Sequence, residues 1–336
     1  MGDRPGAELP PISVDLMRPE DAPGVAELFR AVYGEGYPVR DYYDPATLIA
    51  ANQEGRIISS VARTPEGRVV GHNALFRQCP HPRTYEAGAG LVLPAYRAAN
   101  LFSRLVPHSI NVGGPRFGAE MIWGEAVLNH PYTQRLAESM GYVTMTLEVD
   151  LMPAAAYVKE ASAQGRVGAT QHFQTKVSHP HALHLPERYA QALEDLYVGF
   201  DDQREFLTAQ APLPEAVASH LDSHVFSSAQ VARIAILAAG PDLDAALARA
   251  EDQAAAQGVT VFQAWVNLGQ PWSGAVTEIL RRRGYFLGGA LPRWFGSDGL
   301  LMQKLSHPPT WEGMVLHGER RQRLQALVRA DYQSLA

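Results

Sequence analysis

The chain has 336 residues, 46% of them apolar and 19% charged, with a net charge of −6, an ordinary globular mix long enough for about two domains. No basic face marks it for nucleic acid, and no apolar run approaches the roughly 18–20 residues of a membrane helix. The single cysteine, Cys79, excludes an intrachain disulfide and a cysteine-rich zinc site, and the polar lead-in MGDRPGAELPP is no secretory signal, so a cytoplasmic protein is expected.

Residues 12–17 read as a strand, and Arg18, Pro19, Glu20 and Asp21 open a helix to about Tyr33, with Val25, Leu28, Phe29 and Val32 on one face. A Gly- and Tyr-rich loop follows at 34–46, then a short helix near 47–53. Residues 57–63 and 69–77 are strands joined by the turn TPEG. The next strand, 85–93, carries Gly88 and Gly90 in its interior, a mark of a bulge or a close backbone approach.

That strand ends on Leu91, Val92 and Leu93 at Pro94. Tyr96, Arg97, Ala98, Ala99 and Asn100 form a polar elbow, after which Leu101, Phe102, Leu105 and Val106 recur at helical spacing. A helix starting there aims unpaired N–H groups and the positive end of its dipole into the elbow, a site fit for a diphosphate. The helix should reach about Val112 with a kink at Pro107, and 113–118 reads as a loop. A strand (119–128), a helix (131–140) closed by Gly141 and a strand (142–152) complete the first half.

The run LVLPAYRAANLFSRL resembles the acyl-CoA-binding signature of the GNAT (GCN5-related) N-acetyltransferases, whose usual form is strand–Pro–x–Tyr–Arg–Gly–x–Gly–x–Gly/Ala–helix. Arg97 falls on the family's arginine; Ala98, Asn100 and Phe102 fall where glycines or small residues are common. Asn tolerates left-handed backbone, so the turn survives at Asn100. The element order over 12–152 resembles the family too. The resemblance implies an α/β (α+β) mixed-sheet fold with acetyl-CoA, or another acyl-CoA, as co-substrate and no metal. Arg97 and the backbone of Ala98, Ala99, Asn100 and Leu101 would hold the diphosphate, and the backbone of Leu91, Val92 and Leu93 the pantetheine. Tyr33, Tyr37, Tyr42 and Tyr43 are candidates to line an acceptor pocket.

Acyl transfer needs a neutral amine, a donor to the oxyanion and a proton for the departing thiolate. In the family the base is commonly a glutamate, and Glu86 and Glu125 are the two candidates. The family's helix tyrosine falls on Ala137, so the usual acid is missing; Tyr132 or His130 could replace it, with Asn129 and Thr133 adding donors near the thioester.

The second half echoes the first. Strands at 231–239, 259–268, 286–291 and 300–305 alternate with helices at 241–257 and 271–283, and NHPYTQRLAESMGY is matched by GQPWSGAVTEILRRRGY. Two tandem GNAT-like folds follow: a cofactor-binding domain over 1–152, a linker over 153–170, a degenerate copy over 171–306 and a tail helix within 307–336. The second elbow lacks an arginine, and Asp242 and Asp244 would repel a phosphate. This copy is expected to bind no acyl-CoA and to complete a substrate cleft or form a dimer surface. His172, His179, His181 and His184 cluster, but Pro180 breaks a metal geometry. The expected activity is transfer of an acyl group to a small-molecule or peptide amine, with a homodimer one arrangement open to it. Its rivals are a non-catalytic acyl-CoA-binding module and an acyltransferase whose donor is an acyl carrier protein.

Overall fold

In the computed structural model, residues 11–153, 165–200 and 202–335 are described. Strands β1 (Ser13–Leu16), β2 (Ile57–Arg63), β3 (Val69–Phe76) and β4 (Thr84–Val92) pair antiparallel in that order. Neighbouring residues along each strand serve opposite faces. Val61, Val69 and Ala74 pack with Val25, Leu28 and Phe29 of α1 (Ala22–Tyr33) and Leu48 of α2 (Pro45–Gln53). Ala62 and Val70 pack with Leu101 and Leu105 at the start of α3 (Phe102–His108). Pro107 lies inside α3, where it has no N–H to give. The helix widens into a π turn at Ser109–Gly113 and continues as α4 (Gly114–Arg116), so the segment expected as a loop is partly helical.

The chain divides into two compact units, one ending at Ile122 and the other beginning at Trp123. The division falls within β5 (Met121–Val127), not at 153–170. Beyond β5 come α5 (Tyr132–Ser139), β6 (Val143–Pro153) and β7 (Arg166–Thr175). Residues 166–170, expected as linker, are strand because their side chains are buried and pair with β6; 154–164 of that linker, with its short helical piece, lie outside the described residues. β7 therefore completes the first copy instead of opening the second.

The remaining elements are β8 (His181–Leu185), α6 (Ala190–Tyr197), β9 (Arg204–Thr208), β10 (His220–Phe226), β11 (Val231–Ala238), α7 (Leu243–Ala255), β12 (Val261–Asn267), α8 (Ser273–Arg282), β13 (Phe286–Leu291), β14 (Gly299–Leu305) and α9 (Glu319–Gln333). In the second unit the strands run β5-β7-β6-β13-β14-β12-β11-β10, and β8 and β9 form a separate parallel pair. The order β5-β7-β6 thus recurs as β12-β14-β13, with α5 and α8 in matching places. The halves meet where Thr146 of β6 pairs with Gly289 of β13. Gly289 has φ of 128°, and a Cβ there would stand 2.2 Å from the Met145 carbonyl oxygen, so the junction requires glycine.

Each half also lends an arm to the other. After β7, the chain crosses so that His184 N–H donates to the Leu268 carbonyl at 2.7 Å, just past β12. After β14 it crosses back, and Val315 N–H donates to the Leu128 carbonyl at 2.7 Å, just past β5. A side chain clamps each arm: Ser273 Oγ donates to the His184 carbonyl at 2.6 Å, and Gln134 Nε2 to the Val315 carbonyl at 2.7 Å.

Candidate functional site

β3 and β4 slip register at one point. His72 pairs with Leu91 and Ala74 with Gly88, so Ala89 and Gly90 face Asn73 alone. This is a β-bulge. The sequence placed it on Gly88 and Gly90; the left-handed residue is Ala89 between them, with φ of 50°, a conformation costing a non-glycine residue about 1 kcal/mol or more.

Past Val92 the chain makes a 3-10 turn over Pro94–Ala99, a longer elbow than the tight turn expected. Asn100 then takes the left-handed conformation (φ 51°, ψ 34°), as its side chain allows. Leu101 is buried and anchors the turn, and α3 starts at Phe102 with no side-chain cap among the described residues. The Phe102 ring lies against Gly90. Arg97, Ala98 and Asn100 are exposed, and Arg97 Nε reaches back to the Val92 carbonyl at 3.4 Å. The exposed guanidinium beside uncapped helix N–H groups is chemistry suited to an anion.

The tyrosine-rich loop divides. Tyr42 and Tyr43 are buried in the core, Tyr42 stacked on Phe29 at 4.4 Å, which removes both from the acceptor-pocket candidates. Tyr33 stays 45% exposed and packs against Tyr37 at 5.1 Å. Burial pushes the Tyr37 hydroxyl pKa up, helped by Tyr33 and then by the Glu86 carboxylate. Burial and Tyr43 push Tyr33 up while Arg97 opposes them. The charges of Glu86 and Arg97 thus act on this loop from β4 and the elbow that follows it.

Glu125 sits in a different setting. Its Oε2 is 3.7 Å from Arg233 Nη2, and Glu148 Oε1 is 3.5 Å from the same nitrogen. Gln263 donates to Glu148 at 2.7 Å and accepts from Arg233 Nε at 2.9 Å. Burial raises the pKa of both carboxyl groups; for Glu148 the charge of Glu125 adds to the rise, and Arg233 opposes it in both. Two buried carboxyls beside one arginine disfavour both being charged at once, which pushes this pair toward the protonated side. Glu148 and Arg233 went unnoticed in the sequence, although each is a charge inside an apolar strand run, TLEVDLM and VARIAILA. At the start of α5, Tyr132 is 73% exposed and packs on the His130 ring at 5.3 Å. Asn129 precedes the helix, and Thr133 lies in its first turn.

The second elbow is closed. β11 and β12 stay paired from Val231–Val261 to Ile236–Val266 without a bulge. The carbonyl of Val217 lies where a Cβ on Gly240 would be, 1.7 Å away. Ser219 N–H donates to Asp242 Oδ1 at 2.9 Å. The chain's own loop fills this elbow, and an acid stands where an anion would bind.

The histidines of 172–184 stand in different settings. His181 Nε2 is 3.1 Å from Asp298, which Arg204 also holds, whereas His172 is buried on β7. No group of three His, Cys, Asp or Glu able to hold a metal, and no helix long and apolar enough to cross a membrane, occurs among the described residues.

No family model and no curated protein matches the chain. Solved structures similar to it include ribosomal-protein-S18-alanine N-acetyltransferase from Escherichia coli, at 17% identity over 52% of this chain and 99% of that one, TM-score 0.38. The Salmonella typhimurium protein yncA, solved with its cofactor acetyl-CoA, shows 15% identity over 50% and 96%, TM-score 0.38. Ribosomal-protein-S5-alanine acetyltransferase from Vibrio fischeri shows 12% identity over 50% and 95%, TM-score 0.38.

Proposed function

We propose that the protein is an acyl-CoA-dependent N-acyltransferase of GNAT type, using acetyl-CoA or another acyl-CoA and acylating a small-molecule or peptide amine. One observation carries this reading: a bulged strand, β4, runs directly into an elbow with an exposed Arg97, a left-handed Asn100 and an uncapped helix start. Acyl-CoA would supply the activated thioester. Arg97 and the N–H groups at the start of α3 would hold its diphosphate, and the opened backbone of β4 its pantetheine, by strand addition. Glu86 or Glu125 would take a proton from the acceptor ammonium, so that the neutral amine attacks the thioester carbonyl. Tyr132 or His130 would return one to the thiolate.

Calorimetric titration with acetyl-CoA tests the reading. The wild-type chain is expected to bind, and Arg97→Ala to bind roughly tenfold or more weakly, as for a lost charge-assisted contact of about 1.5–3 kcal/mol. Absence of binding to both proteins would overturn the cofactor reading. Ala137, in place of the family's helix tyrosine, favours a second reading, an acyl-CoA-binding module without turnover. Acetyl-CoA binding with no free thiol released in the presence of a broad amine set would select it.

A further inference from the structure

His72 of β3 faces the α1 layer, fully enclosed between Phe29 and Tyr42, with ring centroids 5.4 Å from each. Its Nδ1 lies 2.9 Å from the carbonyl oxygen of Ala89, the left-handed residue of the β4 bulge. Its Nε2 lies 3.0 Å from Ser59 Oγ. A carbonyl oxygen can only accept, so Nδ1 must carry the proton and Nε2 must accept from the Ser59 hydroxyl. The opposite tautomer would set a lone pair against the Ala89 oxygen. Ser59 is itself fixed, its N–H donating to Asn52 Oδ1 of α2 at 2.8 Å. Burial pushes the His72 pKa down to about 4, so the ring is neutral at physiological pH.

A donor–acceptor chain thus runs from α2 through Ser59 and His72 to the bulge. A left-handed alanine persists only where its surroundings hold it, and this hydrogen bond is such a hold. Because C=O and N–H of a trans peptide point in opposite directions, fixing the Ala89 oxygen on His72 also turns the Gly90 N–H away from the imidazole. We propose that His72 is a positioning residue: through Nδ1–H it sets the backbone of the β4 bulge in the conformation that receives the acyl-CoA. This rests on the acyl-CoA reading above.

Two substitutions separate this role from simple packing. Asn places its amide nitrogen near the position of Nδ1, and Gln places its own near Nε2, so His72→Asn keeps the donor to Ala89 and His72→Gln loses it. Acetyl-CoA affinity is expected to stay within about threefold of wild type in His72→Asn and to fall about tenfold or more in His72→Gln, as for loss of one buried hydrogen bond, while the two variants melt at similar temperatures. Equal affinities, or the reverse order, would overturn the proposal. Nitrogen-15 NMR of the histidines in the wild-type chain gives an independent answer: His72 is expected as the Nδ1–H tautomer, and an Nε2–H tautomer would overturn the hold on Ala89. A wild-type chain that binds no acetyl-CoA would instead defeat the acyltransferase reading, and the tautomer would still decide whether His72 holds the bulge.

Discussion

Three buried residues make the stability of the protein depend on pH in opposite senses. His72 and His172 are enclosed, and burial pushes their pKa values down to about 4 and about 3, with Arg321 adding to the shift at His172. In the unfolded chain both titrate near 6.5. Between pH 6.5 and about 4 the unfolded chain therefore binds more protons, and stability falls as the pH is lowered through that window. The melting temperature is expected to drop between pH 7 and pH 5, and His172→Phe, which keeps a ring and removes the charge, should flatten part of the slope. An unchanged slope would show that His172 is not held neutral. Glu148 runs the other way, because its pKa is raised. Its contribution is full below the unfolded carboxylate value and is lost as the pH rises through the folded one. Glu148→Gln keeps a donor toward Glu125 without a proton to lose, so it should melt higher than wild type at pH 9 and show little gain at pH 5.

At the scale of elements, the arms invite a direct test. Val315 exposes 41% of its surface, so its side chain contributes little, whereas its N–H makes the bond to Leu128. Val315→Pro should lower stability by about 1–3 kcal/mol through the unpaired carbonyl it leaves, and Val315→Ala by much less; chemical denaturation of the two variants would show the difference. The strands and helices with strong periodicity were legible in the sequence, and so was the left-handed turn at Asn100, because a local run of residues dictates each. β8, β9 and β10 were not. None shows a long apolar run: β9 and β10 are largely exposed, and β8 is a five-residue strand that pairs in parallel with β9 about twenty residues further on. The site was legible to the same degree. Arg97 and the bulge are local features, but the Glu125–Glu148–Arg233 cluster joins strands 85 residues apart between Glu148 and Arg233, and no spacing rule reaches that far. Nothing local marks His72, since its role depends on the conformation of Ala89, a residue of the next strand.

For the whole molecule, the repeated strand order and the crossed arms make the two halves of the second unit depend on each other. A chain ending after Ser178 would lack β13 beside β6, the arm that closes β5, and the arginine that balances Glu125 and Glu148. It should be insoluble or lack a cooperative melt, which expression and far-ultraviolet circular dichroism would reveal; a soluble fragment with a sharp transition would disprove the dependence. The crossed arms also impose an order on synthesis. The partner of Leu128 is Val315, which follows it by about 190 residues, and at roughly 5–20 residues per second the end of β5 stays uncovered for on the order of ten seconds or more. The nascent β5 edge must wait, unfinished and open to chaperones, until Val315 has been made and has folded back.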